Sequence, residues 1–216
     1  MDKIKIGLIG FGTIGSGVVR ILASSRKTIR QRLGAEVEIV KIADLDITTD
    51  RGVEVDSGLL TTDANEVLEH PEVDVVVELM GGYEPARTFL LKAVSCGKHV
   101  VTANKALLAK HGDELFTAVE DNCVSIGFEA AVGGAIPIIR SIKESFVANE
   151  INTVEGIVNG TANYILSKMS DEGCDFDVAL KEAQQKGFAE ADPTFDIEGI
   201  DSAHKIAILA RLAFGT

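Results

Sequence analysis

The side chains of this sequence that can do chemistry are lysines and carboxylates set beside glycine-rich turns. The first such turn is Gly10-Phe11-Gly12-Thr13-Ile14-Gly15, between the apolar run Lys3–Ile9 and the helix-like Val18-Val19-Arg20-Ile21-Leu22. In a strand, turn and helix of this spacing, Gly10 permits the tight turn and Gly12 lets backbone approach a pyrophosphate. Gly15 lets the helix pack closely on the sheet. The free N–H groups and positive dipole end of that helix then face the anionic phosphates. An accidental glycine-rich turn is the alternative, and the flanking pattern favours the dinucleotide.

Three further segments carry polar groups in suggestive arrangements. Thr102-Ala103-Asn104-Lys105 closes an expected parallel strand, where open α/β sheets place ligands. Lys105 there can meet a cofactor phosphate or the reacting centre, or be solvated at a helix start. Glu129-Ala-Ala-Val132-Gly-Gly134-Ala-Ile136-Pro137 combines one carboxylate with backbone carbonyls. Hard oxygen donors suit a hard cation, and a single carboxylate suits a monovalent ion better than Ca²⁺ or Mg²⁺. The same spacing fits a glycine-rich interdomain turn equally well. The densest acidic stretch follows Gly187 and holds Glu190, Asp192, Asp196, Glu198 and Asp201. Asp201 and Lys205 stand i,i+4, so on a helix they share a face and place an amine beside a substrate hydroxyl. An ordinary surface ion pair worth under about 1 kcal/mol has the same spacing.

The elements that must position these groups alternate in type. Strands are expected at Lys3–Ile9, Val37–Ala43, Val73–Leu79, His99–Ala103 and Cys123–Phe128. Helices are expected at Gly15–Leu33, Ala64–Glu69, Pro85–Ser95 and Ala106–Glu120. That alternation predicts an α/β fold, a doubly wound Rossmann-type parallel sheet joined by right-handed crossovers. The texture changes near 130–137, so residues 1–130 read as a dinucleotide-binding domain and 131–216 as a partial α+β catalytic domain. The second region is expected to hold helices from Pro137 to Val147, Thr161–Ser170, Asp177–Lys186 and Asp201–Ala213, with one strand at Thr153–Val158. One strand makes no sheet, so this domain reads as truncated, either completed by another chain or cut.

Hydrophobic residues make up 46% of the 216, enough for a sizeable core, and with no Trp that core is aliphatic. A formal charge of −12 argues against nucleic-acid and anionic-membrane partners, which demand a basic face. Cys96, Cys123 and Cys174 are odd in number and far apart, which reads as reduced thiols in a reducing compartment. The N-terminus enters a strand at once without a signal-like segment, and no apolar run reaches membrane length. A soluble cytoplasmic protein is expected.

The segments GFGTIGSGVV, VVELMGG, VTANKALLA, FEAAVGGAIPII, GIVNGTANYIL and AEADPTFDIEGIDSAHKIAILA, in this order, strongly resemble the motifs of homoserine dehydrogenases. The resemblance runs from Lys3 to the last residue. It implies NAD- or NADP-dependent, reversible oxidation of L-homoserine to L-aspartate 4-semialdehyde, in threonine, methionine and isoleucine biosynthesis. By it Lys205 is the catalytic lysine, and Lys105 contacts cofactor and assists proton transfer. Glu190 and Asp201 bind homoserine. Phe11, Thr13, Ile14 and Gly187 join Gly10, Gly12 and Gly15 at the cofactor. Glu129, with the carbonyls of Val132, Gly134 and Ile136, holds Na⁺ or K⁺. A homo-oligomer, dimer or higher, is implied.

Two features depart from the family pattern. Its members continue well beyond the equivalent of Thr216, into further strands and much of the dimer interface. NADP-using relatives often carry Arg after the second strand, where this chain has Ala43-Asp44. An acid there favours a free ribose 2′-OH, although Lys41 and Arg51 nearby can reverse that preference. A cysteine-dependent semialdehyde dehydrogenase and a nucleotide-sensing module are the rivals. Cys96 at a helix end, Cys123 at a strand start and Cys174 in a polar loop are not poised as nucleophiles, and a sensor has no use for a proton-transfer lysine.

Overall fold

The valine- and isoleucine-rich runs of the first half are the parallel strands of an α/β fold, most fully buried toward their carboxyl ends at Leu8-Ile9, Ile42-Ala43 and Val76-Val77. The computed structural model describes residues 2–215. In chain order its first unit contains β1 (Lys3–Ile9), α1 (Thr13–Ser24), α2 (Arg26–Leu33), β2 (Glu36–Ala43), β3 (Leu60–Thr61), α3 (Asn65–Leu68) and β4 (Val75–Glu78). It continues through α4 (Ala86–Ser95), β5 (His99–Thr102), α5 (Lys105–Asp121) and β6 (Ile126–Gly127). The sheet has six strands in the order β3-β2-β1-β4-β5-β6, every neighbouring pair parallel. The strand order reverses direction between β1 and β4, and their carboxyl ends open the crevice where such sheets bind ligands. Leu8, Phe11, Val19, Ile42 and Val77 form the core beneath that crevice.

The chain divides into two compact units, one ending at Ala130 and the other starting at Ala131. The second contains α6 (Ile138–Arg140), α7 (Gly160–Glu172), α8 (Phe176–Gln185), α9 (Thr194–Ile197) and α10 (Ile200–Phe214). A π-helical turn, Ser141–Ser145, continues α6. Ile165 of α7 packs on Ala179 and Ala183 of α8, and on Ala189 beyond it.

Several expected elements change form. The helix expected over Gly15–Leu33 breaks at Ser25, whose φ of −104° and ψ of 11° leave the helical region. Ser24 turns its hydroxyl back to the Ile21 carbonyl, the local competition by which serine weakens helix interiors. Of the strand expected at Cys123–Phe128 only Ile126–Gly127 pairs, as β6, and β3, two residues long, is too short for a period-2 signal to announce it. The strand expected at Thr153–Val158 does not form. Its β-branched residues favour extended backbone, but a strand exists only through a ladder with a neighbour. Among the described residues of this unit none is available.

Candidate active site

The first unit's crevice begins at the glycine-rich turn. Gly10 sits at φ +98°, and a Cβ there would lie 2.8 Å from the Leu79 backbone, so only glycine fits. A Cβ on Gly15 would lie 2.1 Å from the Gly10 carbonyl oxygen. A Cβ on Gly12 would meet nothing within 4 Å. Gly10 and Gly15 are therefore glycine for the fold, while nothing inside the protein requires glycine at Gly12, which faces open space. Thr13 and Ile14 are exposed beside it at the start of α1. The crevice is a cleft of about 440 Å³ lined by Gly10 and Gly12, by Ala43-Asp44-Leu45 after β2, by Thr62-Asp63-Ala64, and by Leu79, Met80 and Phe89.

Asp44 anchors this cleft. Its carboxylate accepts the Phe11 N–H at 2.5 Å and the Asp46 N–H at 2.9 Å, tying the end of β2 to the glycine-rich turn. The cleft lining carries two acids, Asp44 and Asp63, and no lysine or arginine. Lys41 pairs with Glu66 at 2.8 Å and Arg51 with Asp46 at 3.1 Å, although Arg51 Nε is buried without a partner.

On the other side of β1 a buried network shapes the loops after β4 and β5. Glu78 is fully buried and accepts the Met80 N–H at 2.7 Å, the Gly81 N–H at 3.2 Å and the Thr102 hydroxyl at 2.6 Å. Asn104 donates to the Gly82 carbonyl at 2.6 Å, and its side-chain oxygen caps α5 through the Leu107 N–H. Lys105 is the first residue of the helix so capped. The carboxylate that organises this corner was not singled out from sequence. Within Val75–Glu78 its one signal was an acid closing an otherwise all-valine run.

The second unit has its own cleft, about 440 Å³, lined by Val132, Gly133, Gly134, Ile136, Ile157, Val158, Asn159, Gly160, Asn163 and Lys205, among others. Asp201 and Lys205 do share a face of α10, and their pair is mostly buried, with side-chain exposures of 11% and 18%. This is not the solvated surface pair that the spacing also allowed. Lys205 Nζ donates to Asp201 at 2.7 Å and to the Val158 carbonyl at 2.8 Å. Asn159 donates from the same amide nitrogen to Asp201 at 2.9 Å and to Asp196 at 2.7 Å. Asp196 also accepts the Thr161 hydroxyl at 2.8 Å. Asn159, Thr161 and Asp196 complete the site's polar network, and sequence reasoning assigned them no role.

The other expected positions fall as follows. Val132, Gly134 and Ile136 line the cleft that holds Lys205. Ala135 between them has φ +62°, which turns the backbone sharply there. Glu129, a residue of the first unit, begins a 3₁₀ turn, Glu129–Ala131. Among the described residues no cluster of His, Cys, Asp and Glu is arranged for a metal ion, so any cation here would rest mainly on carbonyl oxygens. Gly187 (φ +75°) and Glu190 are exposed on the loop after α8. The three cysteines are free thiols, and none lines either cleft. No helix of the described residues is long and apolar enough to cross a membrane.

Comparison with known proteins matches both halves of the chain. Residues 10–129 match the family "homoserine dehydrogenase, NAD binding domain", and residues 137–216 match "homoserine dehydrogenase". A homoserine dehydrogenase of Pseudomonas aeruginosa is 48% identical over 217 residues, covering 100% of this chain and 49% of that protein. One of Bacillus subtilis is 46% identical, covering 99% and 49%. The crystal structure of a homoserine dehydrogenase from Thiobacillus denitrificans superposes with a TM-score of 0.91 at 50% identity, covering 100% of this chain and 50% of that one. A hyperthermophilic archaeal homoserine dehydrogenase in complex with NADPH gives a TM-score of 0.84 at 29% identity, covering 99% and 70%. The chain thus spans about half the length of the curated relatives it matches.

Proposed function

This chain belongs to the homoserine dehydrogenase family, and on that premise we propose that it oxidises L-homoserine reversibly to L-aspartate 4-semialdehyde with NAD(P)⁺. Residues 1–130 bind the dinucleotide and residues 131–216 supply the catalytic groups. The observation that carries this reading is the setting of Lys205. Its nitrogen has four tetrahedral directions, of which one is the bond to Cε. Two more are taken by Asp201 and the Val158 carbonyl. These two hydrogen bonds leave one direction of the nitrogen for a third partner. That partner is the substrate hydroxyl. Lys205 takes the hydroxyl proton as the carbon–oxygen bond becomes a carbonyl, and returns it in the reverse reaction. When bound, the nicotinamide cofactor would supply the hydride acceptor for the same carbon. Asp201 stabilises the ammonium as it forms, and with Glu190 it binds the charged end of homoserine.

Gly10, Phe11, Gly12, Thr13, Ile14, Gly15 and Gly187 contact the cofactor, and Lys105 meets it and assists proton transfer. Gly12 supports this directly, since nothing within the protein occupies the space above it. Asp44 reads the adenine ribose. With Asp44 and Asp63 on the cleft wall and its lining free of lysine and arginine, NAD is preferred over NADP, whose 2′-phosphate would face like charge. Glu129 and the carbonyls of Val132, Gly134 and Ile136 hold Na⁺ or K⁺. The enzyme works as a cytoplasmic homo-oligomer.

A homoserine-dependent rise in reduced-nicotinamide absorbance, run separately with NAD⁺ and NADP⁺, tests the activity. No rise with either cofactor, in a protein that binds dinucleotide, overturns it in favour of a sensing module. Replacing Na⁺ and K⁺ by tetramethylammonium, too large for a carbonyl cage, is expected to lower turnover. Unchanged rates would remove the cation from the scheme.

A further inference from the structure

Between Ile151 and Gly160 the chain runs without strand pairing, yet Val158 and Asn159 are held by the buried pair on α10. The Val158 carbonyl accepts from Lys205 and the Asn159 amide donates to Asp201, so adjacent residues grip both members of the pair. Asn159 is 6% exposed, and its side chain is fully engaged. One N–H goes to Asp201 Oδ2, the other to Asp196 Oδ1, and its oxygen accepts the Ala162 N–H at 2.7 Å, capping α7. The reverse orientation would aim the amide oxygen at two carboxylates and the NH₂ at an N–H donor. The surroundings therefore dictate how this amide points.

The oxygen of Asp201 that accepts Asn159 is also the one that accepts Lys205, at 2.9 and 2.7 Å. Two donors converging on one oxygen fix the carboxylate's rotation, and through it the direction of the lysine. The amide also separates two acids that would otherwise repel. Asp196 is held in turn by Thr161. We propose that Asn159 is a positioning residue for the reaction: it locks Asp201, and thereby aims Lys205 at the substrate hydroxyl. This rests on the reading of Lys205 given above.

Asn159→Ser separates this role from helix capping, because serine keeps a capping oxygen and loses both amide donors. The first measurement needs no turnover: acylation of individual lysines by an amine-reactive ester, followed by mass spectrometry. In Asn159→Ser, Lys205 is expected to react about fivefold faster than in the parent, as expected for the loss of one hydrogen-bonded constraint. Lys168 is the internal control. It is 13% exposed at its side chain and bonded to Glu172 and Glu182, so general loosening of α7 would accelerate it too. An unchanged Lys205 rate, or equal acceleration of both lysines, overturns the proposal.

The second measurement is kinetic. In Asn159→Ser, kcat is expected to fall about 10- to 100-fold, as small misplacements of a reacting group do, with cofactor Kd unchanged. A kcat within about twofold of the parent, beside an inactive Lys205→Ala, overturns the role of Asn159. An active Lys205→Ala instead overturns the reading of Lys205, and the labelling result still decides whether Asn159 holds the pair. Should Asn159→Ser not fold, hydrogen exchange in the unsubstituted protein decides. The Asn159 amide protons should then exchange more slowly than those of exposed Asn149, and equal rates overturn the proposal.

Discussion

Lys205 and Asp44 each hold a position that the protein itself already uses, which determines what their removal should do. Lys205→Ala removes the proposed proton-transfer group and leaves the dinucleotide turn, which belongs to the first unit, unaltered. Turnover is expected to fall by roughly 10²- to 10⁴-fold with cofactor affinity nearly unchanged. A kcat within a few-fold of the parent would take Lys205 out of the mechanism. Asp44→Ala removes an acceptor from the Phe11 N–H as well as a negative charge from the cleft. NAD binding should therefore weaken while the ratio of kcat/KM values moves towards NADP. A fixed ratio would mean that Asp44 braces the turn without reading the ribose.

At the scale of elements, the glycine-rich turn and the α7–α8 pair make opposite demands on substitution. Gly15→Ala drives a Cβ against the Gly10 carbonyl, which is backbone and cannot swing aside. It should cost about 1–3 kcal/mol of stability, as overpacking does, readable by denaturant unfolding. In Gly12→Val the added Cβ meets nothing within 4 Å. This variant should unfold like the parent while dinucleotide affinity drops, and unchanged affinity would show that no pyrophosphate rests there. Between α7 and α8, Glu182 accepts from Lys186, Lys168 and Tyr164, which together hold its carboxyl at about 2 against an ordinary 4.5. A pKa depressed on folding stabilises the native state above the unfolded value, and that contribution is lost as pH falls through the folded one. The difference in Tm between parent and Glu182→Gln is thus expected to be full above pH 4.5 and to close as pH falls to about 2. A gap independent of pH would make the contact one of packing rather than charge.

For the whole molecule the relevant fact is that each unit owns a core. The parallel sheet closes within Lys3–Gly127, and the Leu8, Val19, Ile42 and Val77 cluster lies inside it. A fragment of residues 1–130 should therefore unfold cooperatively and titrate with NAD⁺ by calorimetry. A fragment that folds without binding would mean the cofactor needs more than the glycine-rich crevice. Gly187 is the residue of the second unit assigned to the cofactor, so a modest loss of affinity in the fragment would fit its contribution.

How much could be read beforehand follows from the range of the interactions involved. Alternating apolar runs and helical periods are local signals, and they revealed the parallel sheet and the glycine-rich turn. They also placed Asp201 and Lys205 on one helical face, because four residues of an α-helix fix that geometry. Whether that pair is a solvated ornament or a buried device depends on Val158 and Asn159, which lie 47 and 42 residues away from their partners. Glu78 reaches Thr102 across 24 residues in the same way. The Thr153–Val158 segment shows the converse, since its residue types favour a strand and only a neighbour can supply the ladder. Sequence by itself determined which groups are available and which local geometry each inherits. Tertiary structure alone decided which of them are desolvated together, because burial and hydrogen-bond partnership are properties of distant segments meeting.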